Sequence, residues 1–251
     1  MGKTQDARAK HRRGLIRWTW IALITTLGNT AFATSLQVSP TSITLTPARN
    51  ADALWLSNTG TEPVHVQLRV FRWTQSGGTE SLDATQEVIA SPPMQTIAPG
   101  ARQLVRLIRP DRSPVAAEAS YRVLVDELPS GNARQGLQLV LRYSVPVFVQ
   151  PGDAAPQPVL AATVVAAADG ASALEVRNTG TGHAQLADLG MVQASGPDTV
   201  LLPGLVGYVL PGQTMRWTLP GAAGRYVGAH FKARINGEAE KRPLPLVPPS
   251  R

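Results

Sequence analysis

The residues able to do chemistry are few and scattered. No Cys occurs among 251 residues, which removes thiol nucleophiles, Cys-ligated zinc, iron–sulfur clusters and disulfides together. Of the four His, His11 lies in a basic leader, and His65, His183 and His230 stand far apart. None has the H-E-x-x-H or H-x-H spacing that places two imidazoles on one ion. His65 falls at an outward position of an alternating segment, a solvent-facing place. Asp126-Glu127 offers two carboxylates for acid–base work, but neighbours on a strand point to opposite faces and cannot serve one substrate. Gly180-Thr181-Gly182 opens like a dinucleotide fingerprint, yet it lacks the third glycine and joins two strand-like segments, so it reads as a turn. The sequence has no G-x-S-x-G elbow, S-x-x-K set or P-loop. The expectation is a non-enzymatic protein with no catalytic residue, no metal and no cofactor.

The charge does not point to nucleic acid either. The formal net charge is +7 and the pI about 10.4, but six of the 24 basic residues (Lys3, Arg8, Lys10, Arg12, Arg13 and Arg17) precede residue 34 with only Asp6 against them. The remainder carries 18 basic and 16 acidic residues, too even a mixture for a phosphate-binding field. The basic stretch runs into the uncharged segment Trp18 to Leu27 and then Ala31-Phe32-Ala33. This is the layout of a secretory signal peptide, expected to be cleaved after Ala33, and the apolar run is too short for a permanent membrane span.

Period two dominates the rest. Val64, Val66, Leu68 and Val70 alternate with His65, Gln67 and Arg69, while 22 Gly and 21 Pro interrupt every segment long enough for a useful helix. An internal repeat supports two units: LWLSNTGTEPVHV (54–66) is echoed by LEVRNTGTGHAQL (174–186), and IAPGARQLVRL (97–107) by VLPGQTMRWTL (209–219). Two elements repeated in the same order argue for two sandwiches of one plan. The expected divisions are a leader over 1–33, a first domain over 34–150, a Pro-rich linker over 151–158 and a second domain over 159–251.

The segment most suggestive of function is GLQLVLRYSVPVFV (136–149). Fully extended it spans about 45 Å, well beyond the usual strand of five or six residues. Leu137, Leu139 and Leu141 form a one-sided apolar ladder at its start. Two readings are open: a central strand feeding the core, or a strand left open to pair with another chain by β-augmentation.

The residues here resemble a PapD-like periplasmic pilus chaperone of the chaperone–usher pathway. Ala90-Ser91-Pro92-Pro93-Met94-Gln95 with Ile97-Ala98-Pro99-Gly100 and Val105-Arg106-Leu107 is similar to the family's proline-rich loop and following strand. Residues 114–129 are similar to its strand F and residues 137–151 to its strand G. The resemblance implies an all-β fold of two immunoglobulin-like β-sandwich domains in tandem, set at an angle. It also implies donor-strand complementation of pilus subunits by Leu137, Leu139 and Leu141, and delivery to an outer-membrane usher. The family's two basic residues for the subunit carboxylate fall at Ser42 and Pro146, so Arg122 and Arg142 are the candidate anchors instead. Arg106 and Glu118 match two members of the family's structural ion cluster, whose third member, an Asp, is missing near Gly224. RYSVPVF and the missing basic pair resemble the divergent archaic branch. An open apolar strand of this kind is expected to be capped by a dimer when no subunit is bound. The alternative is a secreted two-domain immunoglobulin-like binding or adhesion module, in which the leucines are ordinary core.

Overall fold

Alternation becomes strand through the described residues. The computed structural model describes residues 36–129, 140–152, 155–166, 171–192, 198–221 and 223–247; the expected signal peptide, Leu137 and Leu139 lie outside the described residues. The first half holds β1 (Leu36–Ser39), β2 (Ile43–Leu45), β3 (Ala51–Asn58), β4 (Val64–Ser76), β5 (Thr79–Ala84), β6 (Ile89–Ser91), β7 (Met94–Ile97), β8 (Arg102–Ile108), β9 (Ala119–Leu128) and β10 (Arg142–Val149). The second holds β11 (Leu160–Ala166), β12 (Ser172–Asn178), β13 (Ala184–Val192), β14 (Thr199–Val209), β15 (Thr214–Leu219), β16 (His230–Ile235) and β17 (Lys241–Leu244), with one 3-10 turn at Ala223–Tyr226.

The strands make two sandwiches. In the first, the sheet β1-β3-β8-β6 faces β2-β10-β9-β4-β5, with β7 also paired to β4; in the second, β11-β12-β15 faces β14-β13-β16-β17. Each closes over its own apolar core, one built from residues such as Leu54, Val66, Leu107, Val123 and Val147, the other from Leu174, Val176, Leu186, Phe231 and Ile235. The two pack into one compact unit.

The internal repeat is a repeat of hydrogen bonds. Asn58 and Asn178 are both buried at the end of a strand. Asn58 Nδ2 donates to the carbonyls of Glu62 (2.7 Å) and Ile97 (3.0 Å), and its Oδ1 accepts from Gly60 N (2.9 Å). Asn178 Nδ2 donates to Gly182 O (2.7 Å) and Val209 O (3.1 Å), and its Oδ1 accepts from Gly180 N (2.9 Å). One side chain thus closes its own turn and ties it to the echoed second element, whose Pro-Gly turn in turn receives the Asn backbone N–H at Ala101 O or Gln213 O, 2.9 Å in each copy. The Gly-Thr-Gly of the second copy is fixed by close approach: a Cβ on Gly180 would lie 2.2 Å from Gln157 O and one on Gly182 2.7 Å from the Pro156 carbonyl. The linker backbone lies against this turn, with Gln157 O accepting from Thr181 N (2.9 Å). Replacing Asn178 by Ala removes four hydrogen bonds around Asn178, including the one its Oδ1 accepts from Val159 N (3.1 Å). The expected loss is roughly 2–4 kcal/mol of stability, read as a lower denaturant midpoint at unchanged m.

Candidate functional site

The site is built on β10 and its neighbours. β10 pairs along its full length with β9, antiparallel, from Arg142↔Asp126 to Val149↔Ala119. On its other edge it meets β2 only over Val147–Val149. From Arg142 to Pro146 that edge has no strand partner among the described residues. Unpaired N–H and C=O groups along a strand edge are a template for another chain.

The faces of β10 carry different work. Val145, Val147 and Val149 are buried in the first core and Tyr143 packs against it, its hydroxyl donating to Leu36 O. Leu141 is half-buried just before the strand, with its carbonyl accepting from Glu127 N (2.9 Å). Alternation therefore places Leu141 on the core-facing side, just beyond the end of the sheet. The strand expected over 136–149 is observed from Arg142.

The opposite face bears the charged candidates. Tyr121, Val123 and Val125 of β9 enter the core, so Arg122, Leu124 and Asp126 face outward beside Arg142 and Pro146. Arg142 and Arg69 share Asp126: Arg142 Nε donates to Oδ1, and Arg69 Nη2 to Oδ2 at 2.8 Å. Burial pushes the Asp126 carboxyl up, but the hydrogen bonds from Arg142 and Arg69 outweigh it and hold its pKa below the ordinary value. A depressed folded pKa contributes stability above the unfolded carboxylate range and loses it as pH falls through the folded value. Denaturant midpoints should therefore drop below about pH 4, and Asp126→Asn should reduce that drop while lowering stability at pH 7.

Arg122 is placed differently. It sits opposite Pro146 on one side and Phe71 on the other. Its guanidinium carbon stands 3.7 Å from the Trp73 ring centroid and 5.0 Å from that of Tyr208. Burial there pushes its pKa down, against the opposing charge of Glu80. It forms no ion pair among the described residues.

Tyr208 belongs to the second sandwich, so Arg122 lies at the junction of the two. Trp73 and Phe148 meet Tyr208 and Leu210 in an apolar cluster separate from either core. The buried Gln75 side chain works there like a piece of strand, donating Nε2–H to Tyr208 O (3.0 Å) and accepting Leu210 N–H at Oε1 (2.9 Å). Glu118 adds a third tie: its Oε1 accepts from His183 N (2.8 Å) and lies 2.8 Å from His183 Nδ1. The His183 ring stacks on Phe148, with centroids 3.5 Å apart and planes within 3°. A cavity of about 150 Å³ beside this junction is lined by Ser42, Phe148, His183, Gln185, Tyr208 and Asn236.

This corrects one expectation. Arg106 and Glu118 do not pair: Val105 and Leu107 are buried in the first core, so Arg106 between them points outward from β8 and is exposed. Glu118 is buried and takes His183, not an Asp near Gly224, as its partner from the second sandwich. His183 is therefore the junction contact that spacing alone did not disclose, because its partner lies 65 residues away. His65 is exposed as expected, with Nδ1 2.8 Å from Thr96 Oγ1. A larger cavity of about 510 Å³ lies in the first sandwich, but its charged lining is already engaged: Arg72 contacts Glu87 and the Tyr121 hydroxyl, each at 2.8 Å, and Arg109 donates to Ser113 O at 2.7 Å.

A family model for pili and flagellar-assembly chaperones, PapD N-terminal domain, matches residues 35–155. Among solved structures, the CsuC–CsuE chaperone–tip adhesion subunit pre-assembly complex, from the archaic chaperone–usher Csu pili of Acinetobacter baumannii, matches with TM-score 0.69. The identity is 26%, over 86% of this chain and 99% of the matched chain. The YadV chaperone matches with TM-score 0.61 and 19% identity, over 83% of this chain and 97% of its own. The Salmonella enterica SafA pilin–SafB chaperone complex matches with TM-score 0.58 and 17% identity, over 84% and 95%. These last two share the fold. No curated protein sequence matches. With β10 open at its edge, the first sandwich matches the pilus-chaperone family model, and both sandwiches together share the fold of chaperone–usher chaperones, resembling that of the archaic Csu pili.

Proposed function

We propose that this protein is a periplasmic chaperone that binds pilus subunits by donor-strand complementation and passes them to an outer-membrane usher. The observation that carries the reading is the edge of β10 from Arg142 to Pro146, unpaired among the described residues and preceded in the sequence by Leu137, Leu139 and Leu141. A subunit lacking a strand has an apolar groove and a row of backbone groups whose burial unpaired would cost free energy. The ladder fills the groove and the strand edge satisfies the row, so burial and main-chain pairing supply the binding energy without nucleotide or catalysis. Arg122 and Arg142 anchor the subunit carboxylate. Arg122 is the better placed, because Arg142 and Arg69 already divide one Asp126 between them, leaving a single positive charge in excess. Before a subunit arrives, the same edge pairs with a second copy.

The similarity to the CsuC–CsuE complex, in which a chaperone is bound to a tip adhesion subunit, supports the reading. The test is periplasmic co-expression with the pilin encoded beside the gene. A one-to-one complex with the wild type, lost with a folded Leu139→Asp variant, is the expected result. Equal pilin recovery with both forms removes the ladder from the function and favours a generic binding module.

A further inference from the structure

The guanidinium of Arg122 is an unusual object. It lies against an indole of the first sandwich and near a phenol of the second, the two rings nearly perpendicular to each other, half-buried, with no ion pair among the described residues. The nearest acidic influence, Glu80, is held by Gln75 Nε2 at 3.2 Å. A partly desolvated cation without a counter-ion is costly unless something anionic arrives. The indole, with its ring centroid 3.7 Å away, covers one side of the planar group, and the N–H fork is the point of approach, the geometry that takes a carboxylate through two parallel bonds. Tyr208 is itself fixed: Gln75 holds its carbonyl at 3.0 Å and Gln185 Nε2 donates to its hydroxyl at 2.7 Å.

We propose that the carboxylate receptor is a two-domain site, in which Tyr208 of the second sandwich, held by Gln75, positions Arg122 of the first. This rests on the chaperone reading above and adds to it a linkage. Closure of the second sandwich onto Trp73 completes the receptor, and a carboxylate bound at Arg122 in turn stabilises closure by the same factor. Tyr208 and Gln75 are positioning residues; Arg122 makes the contact.

The experiment is a competition in the periplasm, with wild-type and variant chaperones carrying different tags and sharing a limiting amount of the co-expressed pilin. The ratio of pilin on the two tags reads relative affinity. Arg122→Gln should bind roughly 30-fold more weakly or worse, the loss of a desolvated charged contact. Tyr208→Leu keeps apolar bulk against Trp73 and Phe148 but removes the π face, and should weaken binding roughly tenfold. In the Arg122→Gln background the same change should cost less than about twofold, since nothing remains to position. Tyr208→Phe, which keeps the ring, should stay within about twofold of wild type. Thermal melts of each variant verify folding. An equal Tyr208→Leu penalty in both backgrounds overturns the positioning role, as a purely structural residue would give additive effects. Parity of Arg122→Gln with wild type, while Leu139→Asp loses all pilin, overturns the receptor but leaves donor-strand binding standing; parity of both overturns the chaperone reading itself. A pilin extended by a few residues at its C-terminus identifies the source. Loss of the Arg122 effect assigns the chain-end carboxylate and its persistence an acidic side chain, either of which supports the site.

Discussion

Leu139→Asp should abolish recovery of pilin while leaving the chaperone folded. A buried Leu contributes about 1.5–3 kcal/mol by leaving water, and a carboxylate forced into an apolar groove costs several kcal/mol more unless it takes up a proton. The sum is at least about 4 kcal/mol, or a thousandfold in affinity, enough to take a subunit from fully bound to unbound at periplasmic concentrations. Leu139→Ala forfeits only the transfer and cavity terms, about 2–3 kcal/mol, and should leave a reduced but measurable yield. Val140 supplies the matching control. It is exposed (48%) and falls on the opposite face by alternation, so Val140→Asp should bind pilin like the wild type. A ladder of losses at 137, 139 and 141 with none at 140 is the signature of a strand reading its partner at period two; losses at all four would point to a loop, not a strand.

The legibility of this molecule varies with distance along the chain. The Asn-Thr-Gly repeat was visible because each Asn closes a turn within four residues of itself, and local chemistry of that kind is written locally. The Pro-Gly turns and the period-two strands were visible for the same reason. The outward direction of Arg106 was equally legible, since Val105 and Leu107 flank it on a strand. Assigning it to Glu118 followed the family pattern against the alternation, and the alternation decided the geometry. His183 as the partner of Glu118 was not legible: that contact exists only because the sandwiches meet, and no spacing rule encodes it. One signal for the junction did exist in β4. Val64, Val66, Leu68 and Val70 set the inward phase, yet the large aromatic Trp73 falls on the outward one. A bulky apolar side chain at an outward strand position, repeated at Phe148 on β10, announces that something covers that face. Arg122 was singled out as a candidate anchor from its strand; the clamp around it was not, because half of the clamp comes from β14.

That clamp can be tested through stability alone. Trp73 is 1% exposed and packs edge-on to Tyr208, with ring centroids 5.2 Å apart and planes at 81°, and at 6.2 Å from Phe148. The four residues of this cluster belong to neither main core. Trp73→Ala should therefore cost about 3–5 kcal/mol, and the cost should fall on the coupling between the sandwiches, with each core left intact. Calorimetry is expected to show one transition for the wild type and two for Trp73→Ala, the less stable sandwich melting first. Gln75→Ala, which leaves the Tyr208 carbonyl and Leu210 N–H without their partner, should broaden the transition in the same sense with a smaller loss, about 1–3 kcal/mol. A single sharp transition merely shifted downward in Trp73→Ala would mean that the indole stabilises the first sandwich itself. The angle between the sandwiches would then rest on Glu118, His183 and the Phe148 stack. If the split appears, the same substitution should also weaken pilin binding, because a chaperone whose second sandwich swings free no longer holds Tyr208 over Arg122.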